Sequence, residues 1–352
     1  MRHLDQPLSP SPLSTNKSGW RRTVVRLLAV GCWGYLVGLV AVWVLLRWAD
    51  LWWPATVVMF SPRLLFALPA VLLLPLAALA RRPALAAVVA VAAALALGPV
   101  SGGRVPWRAA FAGPADGFPL RVLTCNMHYG RVDSARLDRL IEETQPQIVA
   151  LQEWRLSNTS DVLTGPDWHT HRHSHLFLAS RYPIRRTEDI GGHSYRSQGL
   201  VTRYEVETPA GLVTVYSLHL ASPRDAIRDT VRDPDAGGED MADNTTLRRQ
   251  QSRYIAGQAA RTRGAHLLLG DFNTPPESAL FRQEWAGYTD AFAAAGLGWG
   301  YTFYGGKTAV RIDHVLASRG WECNACWVGP NVGSPHRPVL ADLTWPLQGT
   351  SD

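Results

Sequence analysis

Sulfur is scarce. The 352 residues hold four cysteines, Cys32, Cys125, Cys323 and Cys326. Cys32 sits inside an apolar run, and the other three are too few and too scattered for a disulfide framework. Cys323 and Cys326 have the spacing of a redox or zinc half-site. No second pair exists, and residues three apart on a strand face opposite ways, so isolated thiols are expected. One-sided charge is lacking as well. The formal +6 comes from the first 100 residues, which carry nine of the 35 basic side chains and two of the 29 acidic ones. Residues 101–352 are left with one acid in excess, which excludes a strongly basic nucleic-acid-binding domain. No secretory signal peptide is read at the N-terminus, because the first apolar run starts late, is too long for an h-region and is followed by two more. General disorder is excluded by 47 % apolar residues.

What the chain has in quantity is uncharged length. Leu27 to Leu46 is 20 residues without a charge, long enough to cross a bilayer core. Leu64 to Ala80 and Ala84 to Val100 add two runs of 17, separated only by "RRP". Nothing polar alternates along either, so three transmembrane helices are expected rather than a buried hairpin. The Trp-rich connection "RWADLWWPATVVMFSPR" suits the headgroup level. Lys17, Arg21, Arg22 and Arg26 precede the first run, Arg81 and Arg82 separate the last two, and Arg47 and Arg63 flank the intervening segment. That distribution places the N-terminus and the "RRP" turn in the cytoplasm, and everything after Val100 outside the plasma membrane. The expected layout is a tail at 1–26, a multi-pass membrane domain at 27–100, a Gly- and Pro-rich linker at 101–119 and a globular domain at 120–347.

The globular part has an α/β rhythm. Strand-like "RVLTCNMH" leads to a helical "DSARLDRLIEETQP" and then "IVALQEW". Several β-rich stretches follow, then an Asp- and Gly-rich stretch (225–243) read as a loop, and a long helix from about Asn244 into "HLLLGDFN". The last strands are "VRIDHVLAS", "WECNACWVG" and "RPVLADLTW". Strands both follow helices and run in succession, which predicts a mixed-sheet sandwich rather than a Rossmann fold.

Polar side chains recur where these apolar runs end. "GDFN" alone reads as a turn, although Asp271 and Asn273 share a strand face. Asn126, Glu153, His219, Asp313 and His336 occupy comparable positions, and together the seven form a constellation. Glu153 suits a hard divalent cation. Asp271 is placed to orient or deprotonate a water, and Asn126, Asn273 and His219 to hydrogen-bond phosphate oxygens. Asp313 with His336 are candidates for a pair in which the carboxylate fixes the imidazole tautomer. Arg224, after "HLASP", and Arg248 or Arg249 are within reach of a phosphate or are solvated charges. The alternating His169, His171, His173 and His175 read as an exposed polar strand face rather than a zinc trap. His128 and His193 read as loop residues, and His314, alternating with Asp313, should lie outside the site.

In order, "LTCN", "LQE", "SLHL", "GDFN", "RIDHVL" and "HRPVLADL" resemble the endonuclease/exonuclease/phosphatase superfamily of DNase I-like, metal-dependent phosphohydrolases, over roughly residues 120–345. The resemblance implies a four-layer sandwich of two mixed β-sheets flanked by helices. It implies Mg²⁺ or Mn²⁺ at Glu153, near Asn126, and a water and phosphate positioned by Asp271 and Asn273. It further implies that His219 stabilises charge and that Asp313 orients His336. One position departs: the family usually has Ser-Asp-His where this chain reads Ser334-Pro335-His336. Three spans before such a domain resemble the layout of VanJ-like membrane proteins linked to glycopeptide resistance. That implies a lipid-linked phosphate or pyrophosphate substrate at the bilayer, with nucleic acid a less favoured one. A tethered nuclease, a phospholipase C-like phosphodiesterase and a non-catalytic lipid-phosphate sensor remain open.

Overall fold

The computed structural model describes residues 16–107, 111, 113, 116–129, 134–190, 200–306 and 308–346; His193 lies outside them. By packing, the chain divides into two units. One joins the chain up to Trp43 with Leu64–Val100, and the other joins Val44–Arg63 with everything from Ser101 onward.

The first unit is helical. Helix α1 (Asn16–Leu46) is followed, after α2 (Trp53–Met59) of the other unit, by α3 (Leu68–Leu79) and α4 (Pro83–Leu95), which runs on into a wider π-type turn to Val100. Cys32, Ala70 and Val89 form its small core, and the Tyr35 hydroxyl donates to the Phe66 carbonyl at 2.9 Å. Its outside is apolar: Val30, Val71 and Leu79 are 70 %, 74 % and 81 % exposed. In water such a surface would be costly; in hydrocarbon it is the expected one. Two helices, Gly19–Leu46 and Pro83–Val100, are long and apolar enough to cross a membrane, and a third arises only if α2 and Arg63–Leu79 count as one broken span. The expected run from Leu64 is shortened because residues 63–67 form a 3₁₀ turn, and Pro75 interrupts the helical hydrogen bonds further on.

The second unit is a sandwich. One six-stranded sheet has the order β13-β14-β1-β2-β4-β3, formed by β1 (Phe118–Asn126), β2 (Ile148–Gln152), β3 (His169–His173), β4 (Leu176–Ser180), β13 (Glu322–Val328) and β14 (Val339–Trp345). The other, β5-β6-β7-β8-β12-β9, is built from β5 (Ile184–Asp189), β6 (Leu200–Thr208), β7 (Gly211–His219), β8 (His266–Asp271), β9 (Thr289–Asp290) and β12 (Asp313–Ala317). A small hairpin, β10 (Phe303–Gly305) with β11 (Thr308–Val310), stands apart. Both large sheets are mixed: β1 runs parallel to β2 and β7 parallel to β8, while their other pairs are antiparallel.

Strand parity explains the layers. Along β1, Leu120 and Val122 point between the sheets, where they meet Val215, Leu267, Leu269 and Val315. Leu123 and Cys125 point the other way, against Leu137, Leu140 and Ile141 of α5 (Ser134–Thr144). On the far face of the second sheet, Leu218, Leu268 and Leu316 pack with Ile255 and Ala259 of α7 (Pro234–Ala260) and Phe281 of α8 (Ala279–Glu284). Central strands buried on both faces read as unbroken apolar runs. The result is helix, sheet, sheet, helix.

The stretch read as a loop at 225–243 is helical instead. Helix α6 (Arg224–Arg232) turns at Asp233 into α7. A Cβ on Gly237 would lie 2.3 Å from the Thr230 backbone. The glycine that looked like a loop former is what lets the two helices meet. All four cysteines are free thiols. The start of the expected linker is pinned rather than free: the Tyr301 hydroxyl donates to the Ser101 carbonyl at 2.8 Å, and Arg104 and Gly298 exchange backbone hydrogen bonds.

Candidate active site

Register alone assembles most of the site. Across the second sheet His219 pairs with Asp271, and Asp271 with Asp313. In the first sheet Asn126 pairs with Gln152, so Glu153 follows at the same edge. Asn126, His219 and Asp271 end strands that run toward this edge, whereas Asp313 begins an antiparallel one and His336 shortly precedes another. The sequence therefore showed polar residues on either side of apolar runs that share one edge in space. Gly270 sits at φ +145°, and a Cβ there would fall 1.9 Å from the Leu218 carbonyl oxygen. Only glycine lets β7 and β8 close up immediately before Asp271.

The side chains from the two sheets converge. Asn126 Nδ2 donates to Glu153 Oε1 at 3.0 Å and to Asp271 Oδ2 at 2.9 Å, while its Oδ1 accepts from the His128 backbone at 2.8 Å. In this orientation the amide ties the two carboxylates together as a donor; serving a cation through oxygen would require it to turn and give up His128. His336 Nδ1 lies 2.8 Å from Asp313 Oδ2, and its Nε2 is 3.9 Å from Asp271 Oδ2. Asn273 points away from the carboxylate: its backbone N–H donates to Asp271 Oδ1 at 2.8 Å and its amide to the Leu220 carbonyl at 2.8 Å. Glu153 and Asn273 both hold positive φ, 52° and 49°. That is uncommon for a buried glutamate and the kind of strain that clusters at functional sites.

Burial pushes the Asp271 carboxyl up to about 7, with the neighbouring Asp313 adding to it. Burial alone would push His336 down, but the Asp313 carboxylate in contact with it, with Asp271 and Glu153 behind, lifts it to about 9. His219 goes the other way, down to about 3, through burial and then the nearby His175 and His336.

His175 was not among the expected site residues. It does not continue the exposed face of β3; the chain turns at Ser174, at φ 52°, and His175 Nε2 comes to 3.1 Å from His219 Nδ1. His219 Nε2 faces Glu153 Oε1 at 3.6 Å and Asp271 Oδ2 at 3.8 Å. Two acceptors on that side require the proton on Nε2, so Nδ1 accepts and His175 donates. Its position just before β4, which runs antiparallel to β2, was the available signal. His173 instead pairs with Asp189 at 2.8 Å, and His314 is buried against the Thr274 carbonyl at 3.0 Å, outside the site. Arg248 does not reach the site's cavity: it is fully buried and bound to Asp50 at 2.6 Å, and Arg249 donates to the Asp50 carbonyl. Arg224 does line the cavity, with its guanidinium 5.0 Å from the Phe303 ring.

The cavity, about 730 Å³, is lined by Glu153, His175, His219, Asp271, Asn273 and His336 on its polar side, a volume typical of small-ligand sites. Among the described residues, the ion pairs of Glu153, Asp271 and Asp313 are all to histidine, and Asp313 Oδ1 is buried without a hydrogen-bond partner. Asp271, Asp313 and His336 bring their ligand atoms within 4.8 Å of one another. Buried carboxylates without Arg or Lys partners, offering hard oxygens, fit a divalent cation such as Mg²⁺ or Mn²⁺.

The family model described as Endonuclease/Exonuclease/phosphatase family matches residues 123–338, from within β1 to just past His336. The chain belongs to this family. Endonuclease/exonuclease/phosphatase enzymes hydrolyse phosphodiester or phosphate bonds and generally use a divalent metal. A family structure from Bacteroides thetaiotaomicron matches at TM-score 0.51 and 13 % identity, over 66 % of this chain and 98 % of its own. A humanized D. rerio TDP2 matches at 0.52 and 14 %, over 64 % and 99 %. D. rerio TDP2 complexed with a single-strand DNA product matches at 0.50 and 14 %, over 64 % and 99 %. These likenesses establish the fold. No curated protein matches the chain.

Proposed function

We propose that this protein is a membrane-anchored, metal-dependent phosphohydrolase of the plasma membrane, with its catalytic domain extracytoplasmic and a lipid-linked phosphate or pyrophosphate of the cell envelope as substrate. The observation that carries the reading is the convergence of Glu153, His219, Asp271 and His336 on one cavity, with Asn126 and Asp313 hydrogen-bonded behind them, in a chain that also holds two helices fit to cross a bilayer. With the apolar run Leu64–Ala80 taken as the further span, without α2, the cations around residues 17–26 and 81–82 support the outward orientation. The near-neutral charge of residues 101–352 argues against nucleic acid as the main substrate.

In this reading Glu153 holds the cation, with Asn126 beside it. A bound Mg²⁺ or Mn²⁺ would withdraw charge from the phosphate oxygens. Ionised Asp271 takes the proton of the attacking water, and Asn273 fixes that carboxylate through its backbone N–H. Protonated His336, held by Asp313, donates to a phosphate oxygen. His219 presents Nε2–H to the developing charge, and Arg224 binds the distal phosphate.

The pH profile follows from these assignments. Asp271 must be ionised and His336 protonated, so kcat/KM rises through about pH 7 and falls through about pH 9. A bound cation favours ionised Asp271, so raising Mg²⁺ moves the lower limb to lower pH. A flat profile from pH 6 to pH 10 would remove both residues from these roles.

Full-length protein with Mg²⁺ or Mn²⁺ should release phosphate from a lipid pyrophosphate. It should leave sphingomyelin and plasmid DNA largely intact. Nicked plasmid without lipid turnover would replace this reading by the nuclease one. An extracellular-only phosphatase reporter fused after Asp352 should be active in intact cells.

Pro335 supports a second reading. It lines the cavity where the family usually has Asp, and its carbonyl accepts from Tyr304 N–H at 2.9 Å. With one carboxylate fewer, metal binding is weak, and Pro335→Asp should lower the Mg²⁺ needed for half-maximal activity by about tenfold. An unchanged metal titration would refute this. A wild type inert toward every phosphate ester, but active as Pro335→Asp, would favour the lipid-phosphate sensor.

A further inference from the structure

Residues 44–63 connect the first apolar helix to the second, yet they pack as part of the sandwich unit. Asp50 and Arg248 form an ion pair with both side chains at most 1 % exposed. Arg63 meets Glu277 at 3.2 Å, and Gly102, at φ +83°, leaves room for that carboxylate. Burial would raise the Glu277 carboxyl, but Arg63, with Arg311 and Arg104, holds it below its ordinary value. The backbone takes part as well: Ala279 N–H donates to the Ala49 carbonyl at 3.1 Å, and Arg282 donates to the Arg47 carbonyl at 3.0 Å. Helix α2 lies against α6 and α7. At its C-terminal end Phe60, half-buried, lines the same cavity as Asp271 and His336.

The lining of that cavity is therefore of two kinds. Carboxylates, histidines and Arg224 suit a phosphate; Phe60, Ile227 and Phe303 offer it nothing. On the same connection Trp48, Leu51 and Trp52 are 56 %, 48 % and 53 % exposed, and Trp48 comes two residues after the end of the span Gly19–Leu46. Exposed tryptophans at the end of an apolar span are the side chains that sit at a membrane interface. A water-soluble phosphate ester would leave the apolar wall wet, whereas an amphiphile would cover it.

We propose that Phe60, carried into the site by the connection between the first two apolar helices, is a specificity-determining residue that holds the apolar chain of a phosphate-bearing amphiphile beside the reacting phosphate. The inference rests on the phosphohydrolase reading and adds to it the element that selects the substrate.

The test uses full-length protein in nanodiscs with Mg²⁺, comparing butyl phosphate with decyl phosphate as substrates and butylphosphonate with decylphosphonate as non-hydrolysable ligands. Wild type should prefer the longer chain in both assays. Phe60→Ala should lower the decyl-to-butyl ratio of kcat/KM about tenfold, through KM, and weaken decylphosphonate binding by the same factor. Phe60→Leu, which keeps an apolar side chain, should retain most of the preference. A ratio unchanged in Phe60→Ala, or no chain-length preference in either wild-type assay, overturns the proposal. If nothing is turned over but decylphosphonate binds more tightly and Phe60→Ala loses that advantage, Phe60 keeps its role and the enzyme reading falls. Turnover of both esters with no preference leaves the enzyme and removes this role for Phe60.

Discussion

Asp271→Asn should lower kcat by about 10²–10⁴-fold, the contribution of a positioned general base, and should do so without unfolding the protein. The amide keeps an oxygen for the Asn273 N–H that Asp271 Oδ1 now accepts; it gives up the Oδ2 acceptor of Asn126 Nδ2, which retains Glu153 Oε1. It removes the carboxylate that accepts from Asn126 at 2.9 Å and lies 3.9 Å from His336 Nε2. The same substitution should raise the thermal midpoint of chelator-treated protein above pH 7. The folded carboxyl titrates at about 7 against an ordinary 3.8. Its stabilising contribution is thus fully present only below about pH 3.8 and is lost as the pH rises through about 7. Removing the charge relieves that loss. Activity down and metal-free stability up is the signature of a residue kept for chemistry at the expense of packing. His173→Asn is the control, because His173 is part-exposed and pairs with Asp189 away from the cavity. Near-normal turnover in folded Asp271→Asn protein would remove the general base from this account.

The layers were legible in the sequence because the central strands are buried on both faces and their apolar runs are unbroken. The polar residues at the ends of those runs were legible for the same reason, since a carboxylate at the end of a buried run such as "IVALQ" or "HLLLG" stands out. What the sequence hid depends on partners distant in the chain. His175 belongs to a histidine series whose first members line a partly exposed strand, and only the turn at Ser174 separates it from them. Arg248 read as either a phosphate ligand or a solvated charge, because nothing local reveals that Asp50, 198 residues away, claims it. The stretch at 225–243 looked like a loop because its glycines were read as breakers, when Gly237 is a point of close helix contact. The connection at 47–63 looked like a headgroup-level segment because its Trp content matched one; Asp50 within it was the unused signal, and Arg63, read as a flanking cation, is buried as well.

Those charges carry the second large effect. Asp50→Ala leaves the Arg248 guanidinium buried without its counter-charge, since the remaining partners are the Asn244 side chain at 3.0 Å, the Thr245 hydroxyl at 3.4 Å and the Asn273 carbonyl at 3.5 Å. Breaking a buried pair from one side costs about 3–5 kcal/mol. For a unit of this size that corresponds to a fall of about 6–20 °C in the thermal midpoint. Removing both charges is a different matter, because two desolvation penalties disappear with the attraction. The double variant Asp50→Ala with Arg248→Met should therefore recover most of the loss. Activity should follow a different pattern from stability. Arg248 reaches the carbonyl of Asn273, whose N–H fixes Asp271, so the stable double variant should still turn over more slowly than wild type. A double variant no more stable than Asp50→Ala would mean that the connection is held by its backbone contacts and helix packing, and that the ion pair is incidental to how this segment joins the catalytic unit.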